Sequence, residues 1–211
     1  MASHKDESKN SDPKRREGAD RRVRTDVQRN LGALLNSAKI VFAASGVDAP
    51  VREVAEQAGV GVGTLYRHFP QRSDLIAAVF RHEMDACADA APILATEHEP
   101  FEALANWMQR YATLVATKRG LATALHSGDP AFDGLPAHFE RRLRPAFRML
   151  FSAAAVTGQV RPDVDADDLL IAVANLCMSS HSGGPGHAER MVSLLIDGLR
   201  YGTDPIVKKP A

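Results

Sequence analysis

Cysteine is almost missing from this 211-residue chain, with Cys87 and Cys177 the only two. They lie far apart and match neither a metal-ligand spacing nor a redox Cys-x-x-Cys pair. Both suit a reducing cytoplasm, where buried thiols are inert. Long apolar runs are missing too. The most apolar stretch, Leu169 to Met178, is too short to span a bilayer and contains Asn175, so no membrane partner is expected. The polar N-terminus has no apolar h-region, so no secretory signal is expected and the chain is placed in the cytoplasm. Aromatic residues are few: eight Phe, three Tyr and one Trp, while alanine and leucine are abundant, which favours helices.

Catalytic signatures are absent as well. No paired carboxylates and no nucleophile–base motif can be nominated, so an enzyme is not expected. His126, His181 and His187 have no metal-ligand spacing, and the latter two belong to a Gly-rich SHSGGPG region, so neither metal nor cofactor is expected. GVGVG at 59–63 faintly resembles a nucleotide-binding loop, but no strand precedes it and no P-loop lysine follows.

Net charge is missing: 26 Lys and Arg balance 26 Asp and Glu. A zero sum argues at first against a nucleic-acid partner, but the distribution is uneven. Between Pro13 and Asn30 there are seven basic residues against three acidic ones, whereas from Arg81 onward 13 basic face 16 acidic residues. One end is suited to phosphate and the other is not. The apolar fraction of 45% is sufficient for a packed core, in one domain or two small ones.

What is present is a compact motif at Val51 to Phe69, VREVAEQAGVGVGTLYRHF. Val54, Ala55 and Ala58 share one face of a first short helix. Gly59 stops it, because glycine takes the left-handed conformation of a helix end without steric cost. Val60 tucks under the turn, and Leu65 and Phe69, one helical turn apart, anchor a second helix. That order of parts is a helix-turn-helix, whose second helix lies in the DNA major groove, although an ordinary helical core also contains such pairs. The exposed side of the second helix is then Val62, Gly63, Thr64, Tyr66, Arg67 and His68, groups suited to phosphates and base edges.

Residues 31 to 80, and above all GVGVGTLYRHFPQRSDLIAAVF at 59–80, resemble the N-terminal domain of the tetracycline-repressor (TetR) family. The Gly-Thr-Leu-Tyr-x-His-Phe run at 63–69, a basic residue at 72 and leucine at 75 carry the resemblance. The remainder is similar only in length and helical character. The resemblance implies that Tyr66 and Arg72 contact phosphates, with Thr64 and His68 also facing DNA. Tyr66 would donate its hydroxyl, and Arg72, standing where the family usually has lysine, would pair bidentately. For Arg52, in the first turn of its helix, a guanine edge and an i,i+4 pair with Glu56 both remain open. Gly61 and Gly63 would allow close approach of the backbone to phosphate.

The rest of the chain reads as helices. One runs from about Asp26 to Ser45, with Leu31, Leu34, Leu35, Ala38 and Phe42 as its stripe and Gly46 as its stop. A fourth, begun by Ser73 and Asp74, runs to about Ala90 and stops before Pro92. Phe101 to Thr117 follows, then a short helix over Arg119 to His126. A long helix spans Leu135 to Thr157, which Pro145 is expected to kink or split. The last two run over Asp165 to Ser180 and Gly186 to Tyr201, and both are apolar on more than one side. The expected architecture is therefore all-α: a disordered basic arm at 1–24, a helix-turn-helix domain at 25–82, a helical effector-binding and dimerisation domain at 83–203, and a flexible tail at 204–211. Arg21 to Arg24 of the arm would reach the minor groove or neighbouring phosphates.

The resemblance also implies two further sites. An effector pocket in the C-terminal domain would use Trp107, Met108, Tyr111, His126, Phe147 and Phe151, each of which has core packing as its alternative. A homodimer four-helix bundle from the last two helices would bury Leu169, Val173, Leu176, Cys177, Met191, Leu195 and Leu199. The chain then reads as a dimeric, sequence-specific regulator, a repressor of a palindromic operator that a small molecule releases. The rivals are a protein that coats DNA without sequence preference and a small-molecule enzyme on a helical scaffold.

Overall fold

A computed structural model describes residues 31–120, 127–161, 163–178 and 186–201. The basic arm with Arg24, the short helix expected at its His126 end, and the C-terminal tail lie outside the described residues. The described chain is helical throughout, with no strand. Helix α1 covers residues 31–45, followed by α2 (Val51–Gln57) and α3 (Val62–His68). Next come α4 (Arg72–Glu97), α5 (Pro100–Gly120), a 3-10 turn at Pro130–Phe132, α6 (Leu135–Val156), α7 (Ala166–Met178) and α8 (His187–Tyr201).

The α2–α3 turn forms as its sequence dictates. Gly59 has φ +67°, and the Val60 and Gly59 amides donate to the Ala55 and Glu56 carbonyls at 3.0 and 3.1 Å. This pair of bonds closes α2 as a Schellman cap. Val54, Ala55, Leu65 and Phe69 are buried together, so each short helix is held by its apolar face rather than by its length. Gly46 ends α1 in the same left-handed conformation, at φ +79°.

Arg72 fastens this unit to α4. Its Nη1 donates to the Val47 and Ala49 carbonyls at 2.5 and 2.7 Å, tying the start of α4 to the α1–α2 loop. The Asp74 carboxylate accepts from the Gln71 amide at 3.0 Å and closes the N-terminus of α4. A second tie lies three turns on, where Lys39 Nζ of α1 meets Glu83 Oε2 at 2.5 Å.

Two proline expectations are corrected. α4 does not stop before Pro92 but continues to Glu97, and α6 contains Pro145 without dividing. Both prolines lie on exposed sides, where solvent can take the hydrogen bond that the preceding-turn carbonyl loses. Ala91, just before Pro92 on α4, and Leu143 and Phe147, on either side of Pro145 on α6, are buried, and tertiary packing overrides local propensity.

α4 packs most extensively on α6 and α5, and α5 in turn on α6, α7 and α8. Trp107 is fully buried at this centre and donates its indole N–H to the Cys87 carbonyl at 2.9 Å. Its ring stacks on Tyr111 at 5.5 Å and tilts against Phe147 at 5.5 Å. Burial pushes the Cys87 thiol up to about 12, so it stays protonated and unreactive.

Two outcomes test these ties. Gly59→Ala is expected to cost about 1–2 kcal/mol for its left-handed backbone, while Gly61→Ala, at φ −69°, leaves the urea midpoint within about 0.5 kcal/mol of wild type. No atom lies within 4 Å of a Cβ at either glycine, so crowding does not confuse the comparison. Arg72→Ala is expected to lose about 1–3 kcal/mol, since it strips two carbonyls of a charged donor. An unchanged midpoint in urea unfolding would show the tether to be idle.

Candidate DNA-reading surface and ligand cavity

α3 divides cleanly into two faces. Leu65 is 1% exposed and holds the helix on the core, whereas Gly63, Thr64, Tyr66, Arg67 and His68 all face solvent. Tyr66 is half exposed, an unusual position for a tyrosine with no ring neighbour to stack on among the described residues. The structure thus brings together five of the six α3 residues singled out from the sequence. Val62 is the exception, because it is half-buried and packs against the core. The space above Gly61 and Gly63 is open, leaving the backbone approachable.

Arg52 and Arg72 stand apart from that face in their contacts. Arg52 Nε donates to Glu56 Oε1 at 2.8 Å, with both side chains mostly exposed. Arg72 commits Nη1 to two loop carbonyls, a tether that its sequence context did not reveal.

The C-terminal helices enclose a cavity of about 460 Å³. Phe80 and Met84 reach it from α4, Tyr111 and Val115 from α5. Phe139 and Leu143 close it from α6, and Ala174 and Met178 from α7. Of the pocket residues expected from the sequence, Tyr111 alone lines it; His126 lies outside the described residues. Trp107, Met108 and Phe147 are fully buried and Phe151 is 9% exposed, all packed behind the cavity wall. The Phe147 and Phe151 rings tilt against one another at 6.0 Å, and Phe147 also meets Trp107 across the α5–α6 seam. Burial raises the Tyr111 phenol above its ordinary value, so it remains a neutral donor and acceptor.

Around the cavity, α4 is held from both sides within about two turns. Glu83 pairs with α1 through Lys39. Asp85 accepts from Arg142 Nε at 2.7 Å and lies 2.9 Å from His138 Nε2, while Asp89 accepts from Arg142 Nη2 at 2.5 Å, all across to α6. Met84, between these opposing pairs, lines the cavity. None of these pairs was nominated from the sequence, because their partners lie 44 to 57 positions apart and charge on a helix surface is ordinarily just solvated.

The last two helices present an open apolar groove formed by Ala172 and Leu176 of α7 with Met191, Leu194 and Leu195 of α8. Leu194 is 65% exposed. Among the residues expected at a dimer contact, Leu176, Met191 and Leu195 line this groove, with Leu169 and Leu199 as its floor. Val173 and Cys177 are corrected: both are 0% exposed and face the protomer's own core. Among the described residues no group of His, Cys, Asp and Glu could hold a metal ion, and no helix is long and apolar enough to cross a membrane.

Comparison with known proteins matches these two regions separately. The family model of bacterial regulatory proteins of the tetR family matches residues 34–79, and that of the SbtR-like transcriptional regulator C-terminal domain matches 99–201. The crystal structure of a TetR transcriptional regulator from Streptomyces coelicolor is 36% identical, with a TM-score of 0.69 over 80% of this chain and 97% of that one. A TetR regulatory protein from Mycobacterium vanbaalenii is 34% identical, with a TM-score of 0.64 over 84% and 99%. HTH-type transcriptional regulators of Staphylococcus aureus are 34% identical over 64 residues, which span 35% of their length and 30% of this chain. The helix-turn-helix geometry, the helical C-terminal region and these full-length likenesses together place the chain in the TetR family of bacterial transcriptional regulators.

Proposed function

We propose that the chain represses transcription as a homodimer that binds a palindromic operator through two copies of α3 and leaves it when a small molecule fills the cavity. The observation that carries this reading is the solvent-facing set Gly63, Thr64, Tyr66, Arg67 and His68 on a short helix anchored by Leu65. Thr64 and His68 would meet base edges or sugars, while Tyr66 and Arg67 would meet phosphate. Arg24 would reach phosphate or the minor groove beside this helix, and Arg52 is free to exchange Glu56 for a guanine edge. Arg72 would act indirectly, by holding the α1–α2 loop against α4.

Dimerisation supplies the second head. The groove of α7 and α8 exposes Leu194 and Leu195, and a second copy would cover it by a two-fold contact of the same patch. Two α3 helices about 34–36 Å apart would then match successive major grooves. The effector would act on α4, the helix that passes from the reading head to the cavity. By pressing on Phe80 and Met84 it would shift α4 and the head it carries. We assign the head to roughly 25–82 and the regulatory part to 83–203, with the division inside α4.

Selection of random duplexes on the purified protein at near-physiological salt is expected to yield a palindromic consensus. Tyr66→Phe should weaken binding to every sequence about 2- to 10-fold, as loss of one phosphate hydrogen bond does. Arg67→Ala should lower the salt slope by about one ion, whereas Arg72→Ala should leave the slope unaltered. No enrichment, with binding that vanishes as salt rises, would favour non-specific coating of DNA. Leu194→Glu is expected to convert the dimer to a monomer in sedimentation; a dimer that persists would move the interface elsewhere.

A further inference from the structure

The cavity's wall defines the chemistry of what can enter it. Among the described residues its lining is aliphatic, aromatic or thioether apart from two polar groups, the Tyr111 hydroxyl and the Glu140 carboxylate. No lysine, arginine or histidine lines it among the described residues. From this described wall a ligand carboxylate or phosphate would lose its hydration and gain no counter-charge, a large cost in an apolar site.

Glu140 does not make the site anionic, because its charge is already matched. Arg144 Nη2 donates to Glu140 Oε1 at 2.9 Å, and Arg144 Nε lies 2.7 Å from Oε2. The same guanidinium donates through Nη1 to Asp167 Oδ2 at 2.9 Å, and Arg148 Nε donates to Asp167 Oδ1 at 3.0 Å. The Arg148 hydrogen bond holds the Asp167 carboxyl below the ordinary carboxylate range, so it is ionised at neutral pH. Two carboxylates thus face two guanidiniums along the rim. A cationic ligand would have to displace Arg144 from Glu140 to find a partner.

Tyr111 differs from Glu140. It is 3% exposed, its ring is fixed by Trp107 and by Phe139 at 6.3 Å, and its hydroxyl makes no hydrogen bond to another described residue. A rigid, unshared hydroxyl on an apolar wall can donate to a ligand oxygen or accept from a ligand hydroxyl.

We propose that the cavity takes an uncharged, mostly apolar molecule of about 12–20 non-hydrogen atoms, carrying one oxygen that hydrogen-bonds to Tyr111. The size follows from about 460 Å³ of space, and the neutrality from the balanced rim. This assignment rests on the effector reading of the cavity given above.

Four probes of matched shape separate the possibilities: 2-acetylnaphthalene, 2-ethylnaphthalene, 2-naphthoate and 2-naphthylmethylammonium. Binding to the full-length protein is read from the fluorescence of Trp107, the chain's single tryptophan, and checked by thermal shift. The neutral ketone is expected to bind at least ten times more tightly than either ion. Tyr111→Phe is expected to weaken the ketone about fivefold, to the level of 2-ethylnaphthalene, while leaving the hydrocarbon unaffected. Ala174→Phe, which fills the cavity from α7, is expected to abolish binding of both neutral probes. Equal or tighter binding of the carboxylate or the ammonium would overturn the proposal. So would no binding by any probe, or undiminished ketone binding to Tyr111→Phe or Ala174→Phe. Operator affinity with and without the ketone is measured separately. A ketone that binds as expected yet leaves operator affinity unaltered supports the ligand class and counts against the regulatory reading alone.

Discussion

Everything in this molecule depends on how α4 is held. One helix of 26 residues starts under the reading head and ends against α5 and α6. Its buried side chains run without a gap from Leu75, Ile76 and Val79 to Met84, Cys87 and Ala91. A helix buried along one face from Leu75 to Ala91 cannot bend there without opening the core, so a displacement at one end of that stretch is passed to the other. Polar ties are added at each level: Arg72 to the α1–α2 loop, Glu83 to α1, and Asp85 and Asp89 to α6. The head is thus fixed in orientation by the helix that also lines the cavity.

The parts of this arrangement that were legible in the sequence are the local ones. Gly59 needed φ above zero, and Leu65 and Phe69 needed one shared face, so residues 51–69 showed two short packed helices, and the resemblance over 31–80 marked them as a helix-turn-helix. The proline positions misled because propensity acts on the isolated helix, whereas Pro92 and Pro145 sit on solvent-facing sides of helices pinned by burial. The cavity was invisible for a different reason. Phe80 with Met84, Leu135 with Phe139, and Ala174 with Met178 are i,i+4 pairs like any core stripe, and periodicity does not tell a packed seam from a gap. Larger aromatics drew the eye to Trp107 and Phe147, which are the packed end of the same seam.

Charge follows the same division. The zero net charge of the chain conceals a structure in which many acidic side chains are committed to named partners. Asp85, Asp89 and Asp167 pair with Arg142, Arg144 and Arg148 between helices, and Glu140 pairs with Arg144 within α6. On α3, Arg67 and His68 have no acidic neighbour within ion-pair distance among the described residues, and Arg67 is free to meet phosphate. A sum over the sequence averages these regions, which is why the distribution and not the total pointed to DNA.

If a ligand in the cavity regulates the head as proposed, magnitudes decide which contacts would carry the coupling. A useful change in operator occupancy needs a coupling of about 1–3 kcal/mol. Lys39–Glu83 is a partly exposed pair, and pairs of that kind contribute about 0–1 kcal/mol. Breaking it alone falls short. The double hydrogen bond from Arg72 is stronger, but it binds the loop to α4 and would travel with the helix rather than break. The larger part of the coupling must therefore come from apolar contacts, with Phe80 and Met84 at the cavity and Leu75 and Ile76 a turn or two nearer the head. Burial of a single such side chain contributes about 1.5–3 kcal/mol, so repacking one or two of them on ligand entry is sufficient. In the proposed dimer that change would count twice for one operator, so a modest shift in each copy would suffice to release the DNA.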